Sequence, residues 1–212
     1  MLILILGPVR SGKSARAAAL AQATRRRVIV AATAAADPSD PEWCARIERH
    51  RRDRPPVWDV VETANPQGPE LATLLREAPS DACILVDALG TWLAQELIAW
   101  DDAAVDVSAA ALETRCAELV AALRDAAATT IVVAEETGWG VVPVSPLGRL
   151  FRDSLGRLVQ CIAANADRVE LVVAGFAIDL RTVGTPIEDV SDASAAYGLK
   201  CAADIMDVTE VS

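Results

Sequence analysis

Gly7-Pro8-Val9-Arg10-Ser11-Gly12-Lys13-Ser14 follows directly on the apolar run Leu2 to Leu6 and leads into an Ala-rich stretch. It reads G-x-x-x-x-G-K-S, the phosphate-loop pattern, with a strand before it and a helix-forming run after it. Gly7 and Gly12 permit backbone geometry that a Cβ would hinder, so successive N–H groups can turn toward an anion. Lys13 is placed to reach the β- and γ-phosphates of a nucleotide, and the Ser14 hydroxyl to ligate Mg²⁺. A helix starting near Lys13 directs its positive dipole end at the same phosphates. The bland alternative is an ordinary Gly-rich turn.

Outward from this loop, strands and helices alternate. Ser14 to Thr24 reads as helix and Val28 to Ala31 as strand. Asp40 is placed to cap a charged helix from Glu42 to about Asp53, with Pro41 at its first position and Pro55-Pro56 stopping it. Trp58 to Glu62 is a short strand, Pro69 to Glu77 a helix, and Ala82 to Asp87 an apolar strand ending in an acid. A helix through Trp92 to Ala99, a linker from Asp101 to Val107, and a long helix capped by Ser108 and running to Ala128 come next. Thr130 to Ala134 is a strand, Glu136 to Pro146 a Gly/Pro loop, Leu147 to Ala166 a helix, and Val169 to Val173 a last strand. The alternation gives an α/β fold with a mainly parallel sheet. Residues 1–184 read as one nucleotide-binding domain. The acidic segment 185–212 reads as an extension, with a helix possible over Ala193 to Met206.

A chain of 212 residues can bury a substantial core, and 52% hydrophobic with 24% charged residues is a globular composition. The formal charge of −10 disfavours a general nucleic-acid binder. Nucleotide binding then needs a local basic site, such as Arg10 and Lys13. The five cysteines are scattered, with no C-x-x-C and no metal spacing. They suggest reduced thiols in a cytoplasmic protein, most of them filling core. No apolar run approaches the roughly 20 residues that span a bilayer.

Three further residues could carry chemistry. Asp87, at the end of a buried strand, stands where a phosphate-loop protein places a Mg²⁺-orienting carboxylate; otherwise it is the N-cap of the next helix. His50 is the chain's only histidine and sits among Arg46, Arg49, Arg51, Arg52 and Arg54. A neutral imidazole is nucleophilic toward phosphorus, and arginines attract a polyphosphate; otherwise it is a surface histidine on a basic helix. Glu62 ends a short strand and could bond a base or sugar, or be simply an exposed acid. The five tryptophans read first as packing residues. The N-K-x-D or T-K-x-D element by which switch GTPases read guanine is absent from the chain.

Taken together these motifs resemble the bifunctional adenosylcobinamide kinase / adenosylcobinamide-phosphate guanylyltransferase family of cobalamin biosynthesis. The family loop G-G-A-R-S-G-K-S corresponds to Gly7–Ser14, and an Ala-Thr element to Ala31-Ala32-Thr33-Ala34. The family run D-x-E-M-x-x-R-I-x-x-H-x-x-x-R-P-x-x-W matches Asp40, Glu42, Arg46, Ile47, His50, Arg54, Pro55 and Trp58. Glu62, then Asp87, Leu89, Trp92 and Leu93, continue the match. N-E-V-G-x-G-I-V-P corresponds to Glu135–Pro143, R-x-F-R-D-x-x-G-x-x-N-Q to Arg149–Gln160, and A-D-x-V to Ala166–Val169. Departures are Pro8 for Gly, Glu135 and Val159 for Asn, and Ala88 and Gly90 for the Cys and Thr flanking Leu89; the Asn after the Trp-Leu pair has its nearest counterpart in Gln95. These departures are expected to line the corrinoid or nucleotide cleft.

The resemblance implies a RecA-like P-loop NTPase fold in three layers and a homo-oligomer. It implies phosphorylation of adenosylcobinamide by ATP or GTP with Mg²⁺, then transfer of GMP from GTP to adenosylcobinamide phosphate through His50. Lys13 would act in the first step. Gly7 to Ser14, Ala32, Thr33, Ala34, Arg51, Arg52, Asp53, Arg54, Glu62 and Asp87 would contact nucleotide, with Ser14 and Asp87 holding the metal. A phosphate-loop metabolite kinase without guanylyl transfer, and a nucleotide-binding regulatory protein with reduced catalysis, are the competing readings.

Overall fold

In the computed structural model, which describes residues 1–65, 67–98 and 105–187, seven strands form one sheet in the order β3-β2-β4-β5-β1-β6-β7. The strands are β1 (Leu2–Gly7), β2 (Arg27–Ala32), β3 (Asp59–Glu62), β4 (Ala82–Asp87), β5 (Thr129–Glu135), β6 (Arg168–Val173) and β7 (Phe176–Asp179). The helices are α1 (Lys13–Ala23), α2 (Pro41–Arg52), α3 (Leu71–Glu77), α4 (Leu89–Ile98), α5 (Val105–Asp125), α6 (Pro146–Asn165) and α7 (Leu180–Val183). β1 to β6 pair in parallel, and only β7 is antiparallel, to β6. This is the α/β, mainly parallel architecture the alternation implies.

The sheet is buried on both faces, as continuous apolar runs require. Leu2 and Leu4 of β1 face a core shared with Leu75, Leu93, Leu119 and Ile162 from α3 to α6. Ile3 and Ile5 face the other way, onto Ala17 and Ala21 of α1. The small alanines let α1 lie close over the strands. Burial pushes the Cys83 thiol up, and with nearby Glu96 pushes the Cys116 thiol up to about 12, so both behave as inert apolar groups.

Several boundaries differ from the sequence reading: α3 begins at Leu71, two residues after Pro69. α5 starts at Val105, so Ser108 lies inside the helix instead of capping it. The Ala-rich stretch after it outweighs the local capping preference of one serine. The helix ends at Asp125, and Ala128 is buried in the bend just before β5. β6 is not the last strand: Ala174 and Gly175, at φ 52° and 84°, make a two-residue turn into β7. Ala-Gly is a weak hairpin signal, and Ala174 adopts this conformation only because the strand pairing compensates. The helix expected over Ala193 to Met206 lies outside the described residues.

One buried charge ties α1 to the sheet. Glu170 on β6 is 1% exposed and accepts from Arg16 Nε and Nη2 at 2.8 Å each, while Arg168 also reaches it. The Arg16 hydrogen bond, working against burial, holds the Glu170 carboxyl below its ordinary value of 4.5. A depressed folded-state value adds stability above the unfolded value, and that contribution fades as pH falls. Both arginine side chains are over a third exposed, Arg16 at 34% and Arg168 at 39%. Glu170→Ala removes the buried partner and leaves arginines that water can reach, so it should cost about 1.5–3 kcal/mol, the scale of lost charge-assisted hydrogen bonds. Urea unfolding should show this gap in full at neutral pH and show it shrinking by about pH 3.

Candidate active site

Parallel pairing brings the functional residues to one edge of the sheet. Gly7 is level with Glu135, Val133 with Asp87, and Ala32 with both Asp87 and Glu62. The carboxyl ends of β3, β2, β4, β5 and β1 thus present Glu62, Ala32, Asp87, Glu135 and the phosphate loop in spatial order, where open α/β sheets bind ligands.

The loop is held from three sides. The Ser11 amide donates to the Pro8 carbonyl at 3.3 Å, the Gly175 amide to the Ser11 carbonyl at 2.9 Å, and the Glu136 amide to the Gly7 carbonyl at 3.0 Å. A Cβ on Gly7 would stand 2.3 Å from the Val172 carbonyl oxygen, so no side chain fits there. Gly12 has φ 101° and Arg10 φ 59°, the turned backbone that aims amides at an anion. Pro8 contributes no N–H, yet its carbonyl accepts from Lys13 Nζ at 3.2 Å. Lys13 is 9% exposed. Burial lowers its ammonium from the ordinary lysine value; Glu135 and Asp87 oppose that shift and Arg46 adds to it. The cation needs an anion, and a phosphate supplies one.

α2 carries His50 but buries none of its residues. Polar ties hold it instead. The Asp40 carboxylate accepts the Trp43 amide at 2.9 Å, the cap expected from the sequence. Trp43 Nε1 donates to the Ala35 carbonyl at 2.8 Å, and the Arg46 guanidinium lies 5.8 Å over the Trp43 ring. At the other end Arg51 pairs with Glu62, and Arg54 with Asp87 Oδ2 at 2.8 Å.

Two cavities, of about 340 and 660 Å³, flank this helix and share Lys13, Ser14, Trp43, Arg46 and His50. The smaller reaches Ala32, Ala34, Arg51, Arg54, Glu62 and Asp87. The larger opens over Val9, Arg10, Ser11 and Gly12. Not every expected contact lines them. Gly7 and Pro8 shape the loop from behind. Thr33 is buried and donates to the Ala88 carbonyl at 2.6 Å, also bonding Thr91, so it braces the β4–α4 turn. Arg52 turns to Glu48 at 4.0 Å, and Asp53 is the C-cap of α2; the helical turn carries both away from His50.

Of the departures, Ala88 and Glu135 line the smaller cavity, and Gly90 donates its amide to Glu135. Val159 does not: one turn after Leu155 on α6, it packs against the core. Gln95 also lines neither cavity. Arg46, expected from the sequence to draw a polyphosphate toward His50, lines this site; Trp43, Asn65 and Thr91, which the sequence reading did not assign to the site, line it too. Trp43 was findable, being seven residues before His50 on one helix face. Glu135 carries the same strand-end acid signal as Asp87.

A phosphate loop, a strand-end carboxylate and a histidine facing a shared cavity define a nucleotide-dependent phosphotransferase of the P-loop class. Residues 3–180 match the cobinamide kinase / cobinamide phosphate guanyltransferase family, and the chain belongs to it. It is 39% identical over 184 residues to the bifunctional adenosylcobalamin biosynthesis protein CobP of Pseudomonas aeruginosa, covering 87% of this chain and 98% of that one. It is 35% identical over 192 residues to the bifunctional adenosylcobalamin biosynthesis protein CobU of Salmonella typhimurium, covering 85% of this chain and 100% of that one. The corresponding CobU of Escherichia coli is 32% identical over 191 residues, with the same two shares.

Lys13→Ala should weaken nucleoside triphosphate binding by about 10- to 100-fold, the loss of one charge-assisted bond to phosphate. Pro8→Gly keeps the carbonyl that Lys13 and Ser11 use and should leave affinity unchanged or improved. Titration calorimetry with a non-hydrolysable triphosphate checks both.

Proposed function

We propose that this chain phosphorylates the aminopropanol hydroxyl of adenosylcobinamide with ATP or GTP, then transfers GMP from GTP to the product through His50, yielding adenosylcobinamide-GDP. The observation that carries this reading is that His50 and Lys13 line both cavities together. A kinase alone needs the loop; a histidine facing the same phosphates supplies the nucleophile for the second reaction.

In the first reaction Lys13 stabilises charge on the transferred phosphoryl group, with the loop amides orienting the phosphates. Ser14 and Asp87 offer hard oxygen donors beside the same cavity, and Arg54 uses only Oδ2 of Asp87. They would hold Mg²⁺, which, when bound, neutralises phosphate charge. In the second reaction an imidazole nitrogen of His50 attacks the α-phosphorus of GTP. The bond from that phosphorus to the pyrophosphate oxygen breaks, leaving a phosphoramidate. A phosphate oxygen of adenosylcobinamide phosphate then attacks the α-phosphorus and the P–N bond breaks. Arg46, Arg51 and Arg54 surround the histidine and offset polyphosphate charge.

The catalytic unit in this reading is residues 1–184, with 185–212 as an extension, and the enzyme works in the cytoplasm. A homo-oligomer is supported by α2, none of whose residues is fully buried within its own chain, and by Val141 and Val144, each 95% exposed.

Incubation with GTP labelled at the α-phosphate should give an acid-labile, base-stable protein label that is lost in His50→Ala. Transfer of that label to adenosylcobinamide phosphate should follow. A wild-type enzyme that phosphorylates adenosylcobinamide yet takes no label would instead be a kinase without the transferase step.

A further inference from the structure

The arginines that follow or adjoin His50 divide between the two cavities, and their partners divide with them. Arg51 and Arg54 line the smaller cavity, and each is paired with a carboxylate, Glu62 and Asp87 respectively. Arg52 lines neither cavity and turns to Glu48. Arg49, one residue before His50, lines only the larger cavity. Its side chain is exposed, and no carboxylate among the described residues pairs with it. Nothing in the chain therefore occupies this guanidinium.

The larger cavity is also the one that opens over the phosphate loop. Its charged lining sets Arg10, Lys13, Arg46 and Arg49 against Asp40 and Glu42, and Asp40 is already taken up by the Trp43 amide. In the smaller cavity Glu62, Asp87 and Glu135 stand among the cations instead. Cations that the protein's own acids leave unanswered, beside amides aimed at an anion, suit the most highly charged part of a ligand. His50 lines both cavities, so a phosphorus atom that it attacks has the larger cavity on one side.

We propose that Arg49 marks one anion subsite used twice in the guanylyl transfer, first by the departing pyrophosphate and then by the phosphate of the acceptor. This rests on the two-activity reading above. As a His50 nitrogen bonds to the α-phosphorus of GTP, the bond from that phosphorus to the α,β-bridging oxygen breaks. Its electron pair leaves with pyrophosphate, whose new charge meets Arg49. Displacement at phosphorus is in line, so the group that leaves and the group that later enters lie on the same side, opposite the histidine. The phosphate oxygen of adenosylcobinamide phosphate then attacks from the place pyrophosphate has vacated, and the P–N electron pair returns to His50. Each anion thus meets the same guanidinium in turn.

The test uses enzyme labelled from α-labelled GTP, freed of nucleotide and pyrophosphate, then chased with pyrophosphate or with adenosylcobinamide phosphate. In Arg49→Gln the half-saturating concentration of both anions should rise about 10-fold, with the limiting rate of label loss within about twofold of wild type. Arg49→Lys, which keeps the charge and loses the fork, should fall between the two. Arg52→Gln removes the same charge from the same helix outside both cavities, and should behave as wild type. Unchanged half-saturation in Arg49→Gln would overturn the assignment, and a rise for only one anion would overturn the shared subsite. So would an equal rise in Arg52→Gln, which would reduce the effect to overall helix charge, or a lower limiting rate at unchanged half-saturation, which would make Arg49 a support of His50. A wild-type enzyme that takes no label would instead remove the transferase half of the function reading and this subsite with it.

Discussion

The position of β1 between β5 and β6 constrains the rest of this molecule. Both neighbours run parallel to it, so its carboxyl end must open onto the same edge as theirs. The chain leaves β1 at Gly7 with the Val172 carbonyl only 2.3 Å from where a Cβ would stand. It therefore turns at once into the phosphate loop and α1. The turn from β6 to β7 brings the Gly175 amide onto the Ser11 carbonyl, so the sheet edge also braces the loop. Arg16 and Glu170 fasten the helix behind it. The anion site is thus built from backbone whose neighbours leave it little freedom, which is what preorganised phosphate binding requires.

The histidine helix is held on different terms. α2 buries no residue and so gains little from the hydrophobic effect, which secures most helices. Its capping by Asp40, with Pro41 at the first position, makes it locally favourable, a contribution of about 1 kcal/mol. Its location against the sheet depends on charge. The Arg51–Glu62 pair is half exposed and worth no more than about 1 kcal/mol. The Arg54–Asp87 pair, at 15% exposure on each side chain, is the better shielded tie. His50 is thus placed by the residue that ends β4.

Much of this was legible in the sequence because it depends on local rules. The loop pattern, the apolar strands and the Asp40-Pro41 start each follow from a few adjacent residues, and each stands in the structure where those residues put it. What was not legible depends on spatial neighbours. β7 forms because a two-residue turn containing Ala174 is compensated by pairing with β6. Thr33 follows β2 in the chain as any contact residue might, but it is turned inward to Ala88 and Thr91 by a strand two places away in sequence order. Arg52 and Asp53 lie two and three residues after His50, yet Arg52 turns back to Glu48 and Asp53 caps α2, whereas Arg51 and, just beyond the helix end, Arg54 line the cavity.

The relation between Asp87 and Glu135 follows from the same sheet. Their strands are adjacent and parallel, and Asp87 is level with Val133, two residues before Glu135. Two acids on neighbouring strand ends repel unless cations intervene, and the site supplies two different ones. Arg54 reaches Asp87 from just beyond the end of α2, and Lys13 comes up from the phosphate loop, its ammonium favoured by both acids against the cost of burial. The arginine keeps its charge under all conditions a protein meets, whereas a buried lysine does not. The cation paired with Asp87 is therefore permanent and follows directly on the histidine helix. The one beside Glu135 belongs to the loop that binds phosphate. The two carboxylates on one sheet edge thus stand beside different cations, Asp87 beside Arg54 and Glu135 beside Lys13.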